Sequence, residues 1–347
     1  MATSSPTPRP AELGFIGRIL VIAIVIVVML AVWKVAPVFM IGFGGIVVAV
    51  ALNNIAAPLA RRTGLPPAAA LTIVVVALAL VAIGFFALFG AAATAQFAAL
   101  LARLPGAWQE ARDWLESWAL GRWILSTSGD ALSGAASTIF SALSIAGGFL
   151  GGLGNAALIL VVGIYLAADP VTYRNGILRL LPPARRPRAD EIMNATGDAL
   201  RKWLTAMTLD MVFLGILTGV GLWLIGVPFS FSLGILSGLS VFVPYIGPIV
   251  ATLPGLLLAL SVSPSLALYA FIVYVVAQQL EGNISLPLLQ RWTVQMPPAV
   301  SLLAMVGFGL LFGLWGVLLA TPMAVATLTI VRMSYVEDML ERPGYGG

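Results

Sequence analysis

The chain has 347 residues, of which 60% are hydrophobic and only 9% are charged, and its mean hydropathy is +1.04. Soluble domains carry about 25% charged residues, so this composition excludes an ordinary soluble protein. Because a membrane span needs about 20 apolar residues, the apolar runs predict an all-α, polytopic integral membrane protein with about eight transmembrane helices.

The residue types that are missing exclude several kinds of site. The chain has no cysteine and no histidine, which excludes disulfides, Cys/His zinc sites and His-based triads. The net charge of +4 does not indicate nucleic-acid binding. We therefore expect no catalytic residue, no metal and no cofactor.

The first 92 residues predict a short polar terminus followed by three spans. Residues 1–15 are expected to be disordered and cytoplasmic. Residues 16–92 predict transmembrane helices 1–3, with Pro37 ending the first and Pro58 marking the end of the second. Basic residues in short loops mark the cytoplasmic side, where we expect the pair Arg61-Arg62.

The middle of the chain alternates between polar and apolar segments. Residues 93–144 predict an extracytoplasmic amphipathic segment, because apolar residues recur at helical spacing over Trp108–Trp118. Residues 145–168 predict transmembrane helix 4. Residues 169–202 carry three more basic than acidic side chains, so we predict a basic cytoplasmic helical segment that is able to contact anionic lipid headgroups.

The last part of the chain predicts a transport region, residues 203–332, followed by a cytoplasmic tail, residues 333–347. In this region Pro244 and Pro248 interrupt an apolar run, since proline lacks an N–H and clashes with the preceding turn. Broken backbone at membrane depth is tolerated only where it is buried in protein or lines a water-filled cavity, and transporter substrate sites use such breaks. We therefore interpret this break as the functional centre, within broken or re-entrant helices of the C-terminal half.

Two G-x-x-x-G pairs occur near this break. They are Gly215/Gly219 and Gly234/Gly238. Small residues at this spacing let two helices approach closely in a membrane. The pairs predict tight packing between helices and do not identify a partner.

Polar residues near the break form a candidate substrate path. Neutral side chains such as those of Tyr245 and Asn283 could bind a polyhydroxylated solute, or could equally satisfy peptide groups that the break frees. The predicted path comprises Pro244, Tyr245, Gly247, Pro248, Gln278, Gln279, Glu281 and Asn283.

Two carboxylates, Asp210 and Glu281, lie closest to predicted membrane depth. A charge there costs about 2.5–3.5 kcal/mol on insertion scales, so it normally faces a partner or water. One interpretation is ion coupling, with one of the two acids carrying protons in a shared cavity. The alternatives are a structural acid that ties down the turn at Gly282, for Glu281, and a boundary residue near the cytoplasm, for Asp210.

Several short motifs occur in a recognisable order. They are Tyr165–Pro170, Leu181-Pro182, Pro244–Pro248, Gln278–Asn283 with Pro287, Phe312–Gly316 and Ala320–Pro322. Together they resemble the autoinducer-2 exporter family of bacterial membrane proteins, also called PerM-like permeases, from about Ile16 to Arg332. One departure is Ala206-Met207, where relatives tend to have Gly-Gln.

The resemblance implies an eight-helix protein of the bacterial inner membrane that assembles as a homo-oligomer, with a pentamer as one candidate size. The charge pattern places both termini in the cytoplasm. The resemblance further implies export of a small polar solute such as a furanone-type quorum signal, and some relatives look like sodium/proton antiporters. The expected partners are thus a small polar solute, membrane lipid and further copies of the chain, without nucleic acid.

Three functions therefore remain as alternatives. The first is a secondary transporter that exports a small polar solute. The second is a sodium/proton antiporter that uses Asp210 and Glu281. The third is a non-transporting scaffold that recruits a partner through residues 169–202. The chain lacks a Walker phosphate loop and an evident nucleophile–base pair, so we expect neither direct ATP use nor an enzyme.

Overall fold

The computed structural model describes residues 15–85, 91–147, 153–291, 293 and 296–340. These residues form helices and short connections without any strand, which confirms the predicted all-α class for this part of the chain. The predicted disordered terminus lies outside the described residues, except for Phe15, the first residue of α1. The end of the predicted tail, residues 341–347, also lies outside them.

The helices follow one another with short connections. Their bounds are α1 Phe15–Thr63, α2 Pro67–Phe85, α3 Ala91–Glu116, α4 Ala119–Gly147, α5 Leu153–Ala168, α6 Pro170–Arg179, α7 Arg186–Leu224, α8 Ser230–Ser240, α9 Ile246–Val262, α10 Pro264–Leu280, α11 Leu286–Gln290 and α12 Pro298–Val331. A 3-10 turn, Pro183–Arg185, precedes α7, and two π-helical segments follow α10 and α12: π1, Glu281–Ser285, and π2, Arg332–Leu340.

Helix α1 corrects one prediction. It is a single helix of 49 residues that runs through both Pro37 and Pro58, so the predicted helix ends at these prolines are wrong. A proline costs the helix one hydrogen bond, but in an apolar surrounding a break would leave further peptide groups unpaired. The helix instead ends at Thr63, where Gly64 adopts φ +71, the left-handed conformation that commonly follows a helix.

Several helices are suited to crossing a membrane. In the described part of the chain, four helices are long and apolar enough, or five if the bent pair α5–α6 forms one span. The chain is therefore a multi-pass membrane protein, whereas the predicted total of about eight spans stays a prediction. Part of the predicted fourth span, residues 148–152, lies outside the described residues.

Helix α7 lies at the centre of the C-terminal half, in contact with α1, α8, α10 and α12. Its contact with α8 is made by the glycine pairs Gly215/Gly219 and Gly234/Gly238, as predicted. A Cβ atom added at Gly234 would lie 2.7 Å from the Cα atom of Gly219. Any larger residue here would separate the two helices.

Helix α12 folds back on itself at Gly313. Gly313 has φ +62 and ψ −143, and a Cβ atom at Gly316 would lie 1.9 Å from the carbonyl oxygen of Phe308. Residues eight apart in a straight helix are separated by about 12 Å, so this approach requires a sharp turn. Helix α12 is therefore not one straight helix.

Candidate functional site

The predicted interruption at Pro244 is present. Helix α8 ends at Ser240 and α9 begins at Ile246, so the five residues between them leave the helical path. Pro248 lies inside the first turn of α9, where a proline sacrifices no helical hydrogen bond. The break is therefore shorter than predicted and lies ahead of Pro248.

Tyr245 occupies a strained turn in this break. Its φ is +65 and its ψ is −48, and the Ile246 N–H donates to the Pro244 carbonyl oxygen at 2.8 Å. These values describe a classic γ-turn, which is rare and strained. Among described residues, the non-glycine positions with positive φ are Tyr245 and Phe229. These two residues lie at opposite ends of α8 and its following turn.

Gly247 is required by a close approach of two backbones. A Cβ atom at this position would lie 1.8 Å from the carbonyl oxygen of Ser240. The Gly247 N–H donates to the Val243 carbonyl oxygen at 2.9 Å. The absence of a side chain thus lets α8 and α9 meet at a tight helical hairpin.

The tip of this hairpin is held by α7 and α12. The ring of Phe242 packs edge-on against Trp203 of α7, with centroids 6.0 Å apart, and it contacts a buried cluster that includes Val325 of α12. The half-exposed Tyr245 donates from its hydroxyl to the Pro298 carbonyl oxygen at 3.4 Å. The break is therefore enclosed by protein on at least two sides.

The structure brings the two predicted acids together. Asp210 of α7 is 3% exposed and accepts a hydrogen bond from the Ser285 hydroxyl at 2.5 Å. Glu281 lies near enough for its carboxyl group to interact electrostatically with Asp210. Its Oε2 atom is buried and has no hydrogen-bond partner among the described residues. Glu281 and Ser285 are the first and last residues of π1, and π-helical turns occur frequently at functional sites.

The acids lie close to the break. Val241, the first residue after α8, shares a buried cluster with Leu214 of α7 and Ala277 of α10. Leu214 follows Asp210 by one helical turn, and Ala277 precedes Glu281 by one turn. The break and the acid pair are thus separated by about one turn, or 5.4 Å, along each helix.

The remaining polar candidates lie in α10 and π1, where two of them hydrogen-bond to each other. Asn283 donates from its amide to the Gln279 carbonyl oxygen at 2.9 Å and to the Gln279 side-chain oxygen at 3.1 Å. Both residues are exposed, whereas Gln278 is half-buried. The amide groups of Gln279 and Asn283 are therefore available at the surface of the same segment that carries Glu281.

Two features were missed by sequence reasoning. Ser285 gives no signal in the sequence beyond its position four residues after Glu281. An open, apolar cavity of about 740 Å³ lies along the contact of α7 and α8. The two G-x-x-x-G motifs were the sequence feature that could have indicated it. Because its lining is almost entirely apolar, this cavity does not suit a polar solute.

Comparison with known proteins gives the family. A family model described as AI-2E family transporter matches residues 22–335. The chain belongs to the AI-2E transporter family. This confirms the resemblance inferred from the motifs, and the match includes the break, the acid pair and π1.

Individual relatives of this AI-2E family member match over shorter stretches. YrrI of Bacillus subtilis, a candidate transport protein by name, is 30% identical over 186 residues, which are 54% of this chain and 52% of YrrI. PerM of Escherichia coli K12, named as a candidate permease, is 27% identical over 177 residues, half of each chain. The chain thus spans about half the length of the relatives it matches.

Proposed function

We propose that the protein is a secondary transporter that exports a small polar solute, with an autoinducer-2-like signal as the candidate cargo, across the bacterial inner membrane. The observation that carries this proposal is the hairpin break that contains Pro244, whose first residue, Val241, lies about one helical turn from the buried Asp210 and the half-buried Glu281. Membership of a transporter family supports the general class.

The dimensions of α8 support a re-entrant segment. Its 11 residues extend about 16 Å, roughly half of the ~30 Å hydrocarbon core. A helix of this length ends at membrane depth, where its terminal peptide groups meet a solute instead of water. We infer that the solute passes the tip of the α8–α9 hairpin.

Strained residues before α8 and at the start of α9 supply a means of movement. Residues held in sparsely populated backbone conformations often occur at switch regions, and Phe229 and Tyr245 occupy such conformations. In the proposed mechanism α8 moves against α7 and exposes the acid pair to one side of the membrane at a time. About eight spans, cytoplasmic termini and a homo-oligomer belong to this proposal.

Everted membrane vesicles provide the test. We expect radiolabelled autoinducer-2 to accumulate in vesicles that contain the protein, and we expect Pro244→Ala and Glu281→Gln to lower the initial rate at least several-fold. Pro264→Ala is the matched control, because Pro264 begins α10 and interrupts no helix. Unchanged accumulation in both test variants would exclude these residues from transport.

A sodium/proton antiporter is the second candidate, and the Asp210–Ser285 contact beside Glu281 favours it. Two carboxyl groups and a hydroxyl group supply oxygen ligands that suit a hard cation or a proton. Proteoliposomes with an internal pH dye should then report proton movement when sodium is added, and Asp210→Asn should abolish it. A silent dye, with autoinducer-2 flux intact, would favour the exporter.

A further inference from the structure

Helix α6 leaves the end of α5 almost at a right angle. The two helices are bent by 87°, and the corner is fixed by Asp169, whose carboxylate accepts a hydrogen bond from the Thr172 N–H at 3.1 Å. Hydrogen bonds from the Thr172 side chain and backbone lower the pKa of Asp169, so this cap is charged at neutral pH. If α5 crosses the membrane, α6 runs parallel to the membrane surface.

One side of α6 carries large exposed apolar side chains. Tyr173, Ile177 and Leu180 follow at positions i, i+4 and i+7, which lie on one face of a helix. They are 44%, 51% and 85% exposed. Three large apolar side chains exposed along one face form a stripe that suits an apolar neighbour outside the described residues.

Another side of α6 is attached to the protein. Arg174 donates to the carboxylate of Asp190 in α7 at 2.6 Å, and Leu178 on the same side is half-buried. Arg186 donates to the Leu181 carbonyl oxygen at 3.1 Å and so holds the turn after α6. The apolar stripe therefore lies on a side of α6 that this attachment leaves exposed.

Free positive charge lies beside the stripe. Arg179 and Arg185 are exposed, and neither forms an ion pair with any residue that the structure describes. An amphipathic helix with aromatic and aliphatic residues on one face and basic residues at its border is typical of membrane interfaces. Anionic headgroups attract such basic residues.

We propose that α6 is an interfacial helix, whose stripe of Tyr173, Ile177 and Leu180 inserts between anionic phospholipids and whose Arg179 and Arg185 bind their phosphates. A lipid leaflet is the occupant because α6 turns off the apolar helix α5 at nearly a right angle and carries an exposed apolar stripe bordered by exposed arginines. Tyr173 fits this depth, since tyrosine is enriched at membrane–water interfaces. This inference is independent of the transported solute.

The absence of native cysteine makes the depth of each position measurable. Single variants Ile177→Cys, Leu180→Cys and, as the matched control on another face of α6, Asn175→Cys are labelled with an environment-sensitive fluorophore. The full chain is reconstituted in phosphatidylcholine vesicles with or without phosphatidylglycerol. We expect lipid-borne spin labels to quench the probes at 177 and 180 several-fold more than the probe at 175.

The anionic lipid is tested separately. Phosphatidylglycerol should increase the membrane depth of the probe at position 180. The double variant Arg179→Gln/Arg185→Gln should lose this lipid-dependent increase in depth, while its probe should still insert into phosphatidylcholine vesicles. The proposal is overturned if the probes at 177 and 180 are as accessible to aqueous iodide as the probe at 175. Shielding from both iodide and lipid quenchers would instead indicate a protein partner, and equal depth in both lipid mixtures would overturn the anionic preference.

Discussion

The hydroxyl of Ser285 donates a hydrogen bond to the carboxylate of Asp210 at 2.5 Å and so joins π1 to α7 across 75 residues of sequence. Both side chains are buried. A buried carboxylate needs such donors, because it has lost its contacts with water. The contact therefore couples the position of the segment that carries Glu281 to the central helix.

Removal of this donor should destabilise the protein. We expect Ser285→Ala to cost about 1–3 kcal/mol, because a buried acceptor loses its partner, and to lower the melting temperature of the detergent-solubilised protein. Ser261→Ala is the control: its hydroxyl donates only to the Leu258 carbonyl oxygen within the same helix. Equal melting temperatures for the two variants would mean that the contact contributes no stability.

The hairpin should not accept a side chain at Gly247. In Gly247→Ala the new methyl group would meet the Ser240 carbonyl oxygen at 1.8 Å, and overpacking of this kind typically costs about 1–3 kcal/mol. Gly197→Ala in α7 is the control, because nothing lies within 4 Å of its added Cβ and alanine favours helices over glycine. We expect the first variant to lower the melting temperature and the second to maintain or raise it.

Strain at Tyr245 predicts that a glycine stabilises the protein at this position, whereas an added side chain at Gly247 destabilises it. Tyr245→Gly should stabilise the protein by up to about 1–3 kcal/mol, since glycine adopts positive φ without the strain of a side chain. Tyr245→Phe keeps the strain and removes only the weak contact with Pro298. If Tyr245→Gly melts below Tyr245→Phe, side-chain packing outweighs the strain. If strain serves movement, the glycine variant should also transport more slowly.

Arg188 links the start of α7 to π2. It donates to the Met333 carbonyl oxygen at 2.8 Å and to the Glu337 carboxylate at 3.2 Å. We expect Glu337→Gln to increase protease cleavage within π2, with the larger effect at low salt, because a partly exposed pair contributes only about 0–1 kcal/mol and is screened by ions. Glu116→Gln, which removes a local pair in α3, should leave that cleavage unchanged.

Local chemistry made the break at Pro244 predictable, and it also led to the error at Pro37. Both prolines remove one N–H donor, but only the sequence around Pro244 supplies Gly247, whose missing side chain permits a hairpin. The first glycine after Pro37 is Gly42, five residues on instead of three, and α1 continues through both. A proline alone is thus insufficient to predict the end of a membrane helix.

Long-range contacts could not be predicted in this way. Hydropathy predicted membrane depth for Asp210 and Glu281, but the hydrogen bond from Ser285 to Asp210 depends on how α7 and π1 pack together. Likewise, the sequence predicted broken helices in the C-terminal half but not the position at which α12 bends. Only Gly313 adopts the required non-helical conformation within that helix.

The four glycines between α7 and α8 have a mechanical consequence. Helices usually interlock through ridges of side chains that fit into grooves, which fixes their relative position. Gly215, Gly219, Gly234 and Gly238 present bare backbone instead, so the movement of α8 in the proposed mechanism would disengage no interlocking side chains. Gly215 follows Asp210 by five residues on α7, so this side-chain-free contact begins about one and a half helical turns from the acid pair.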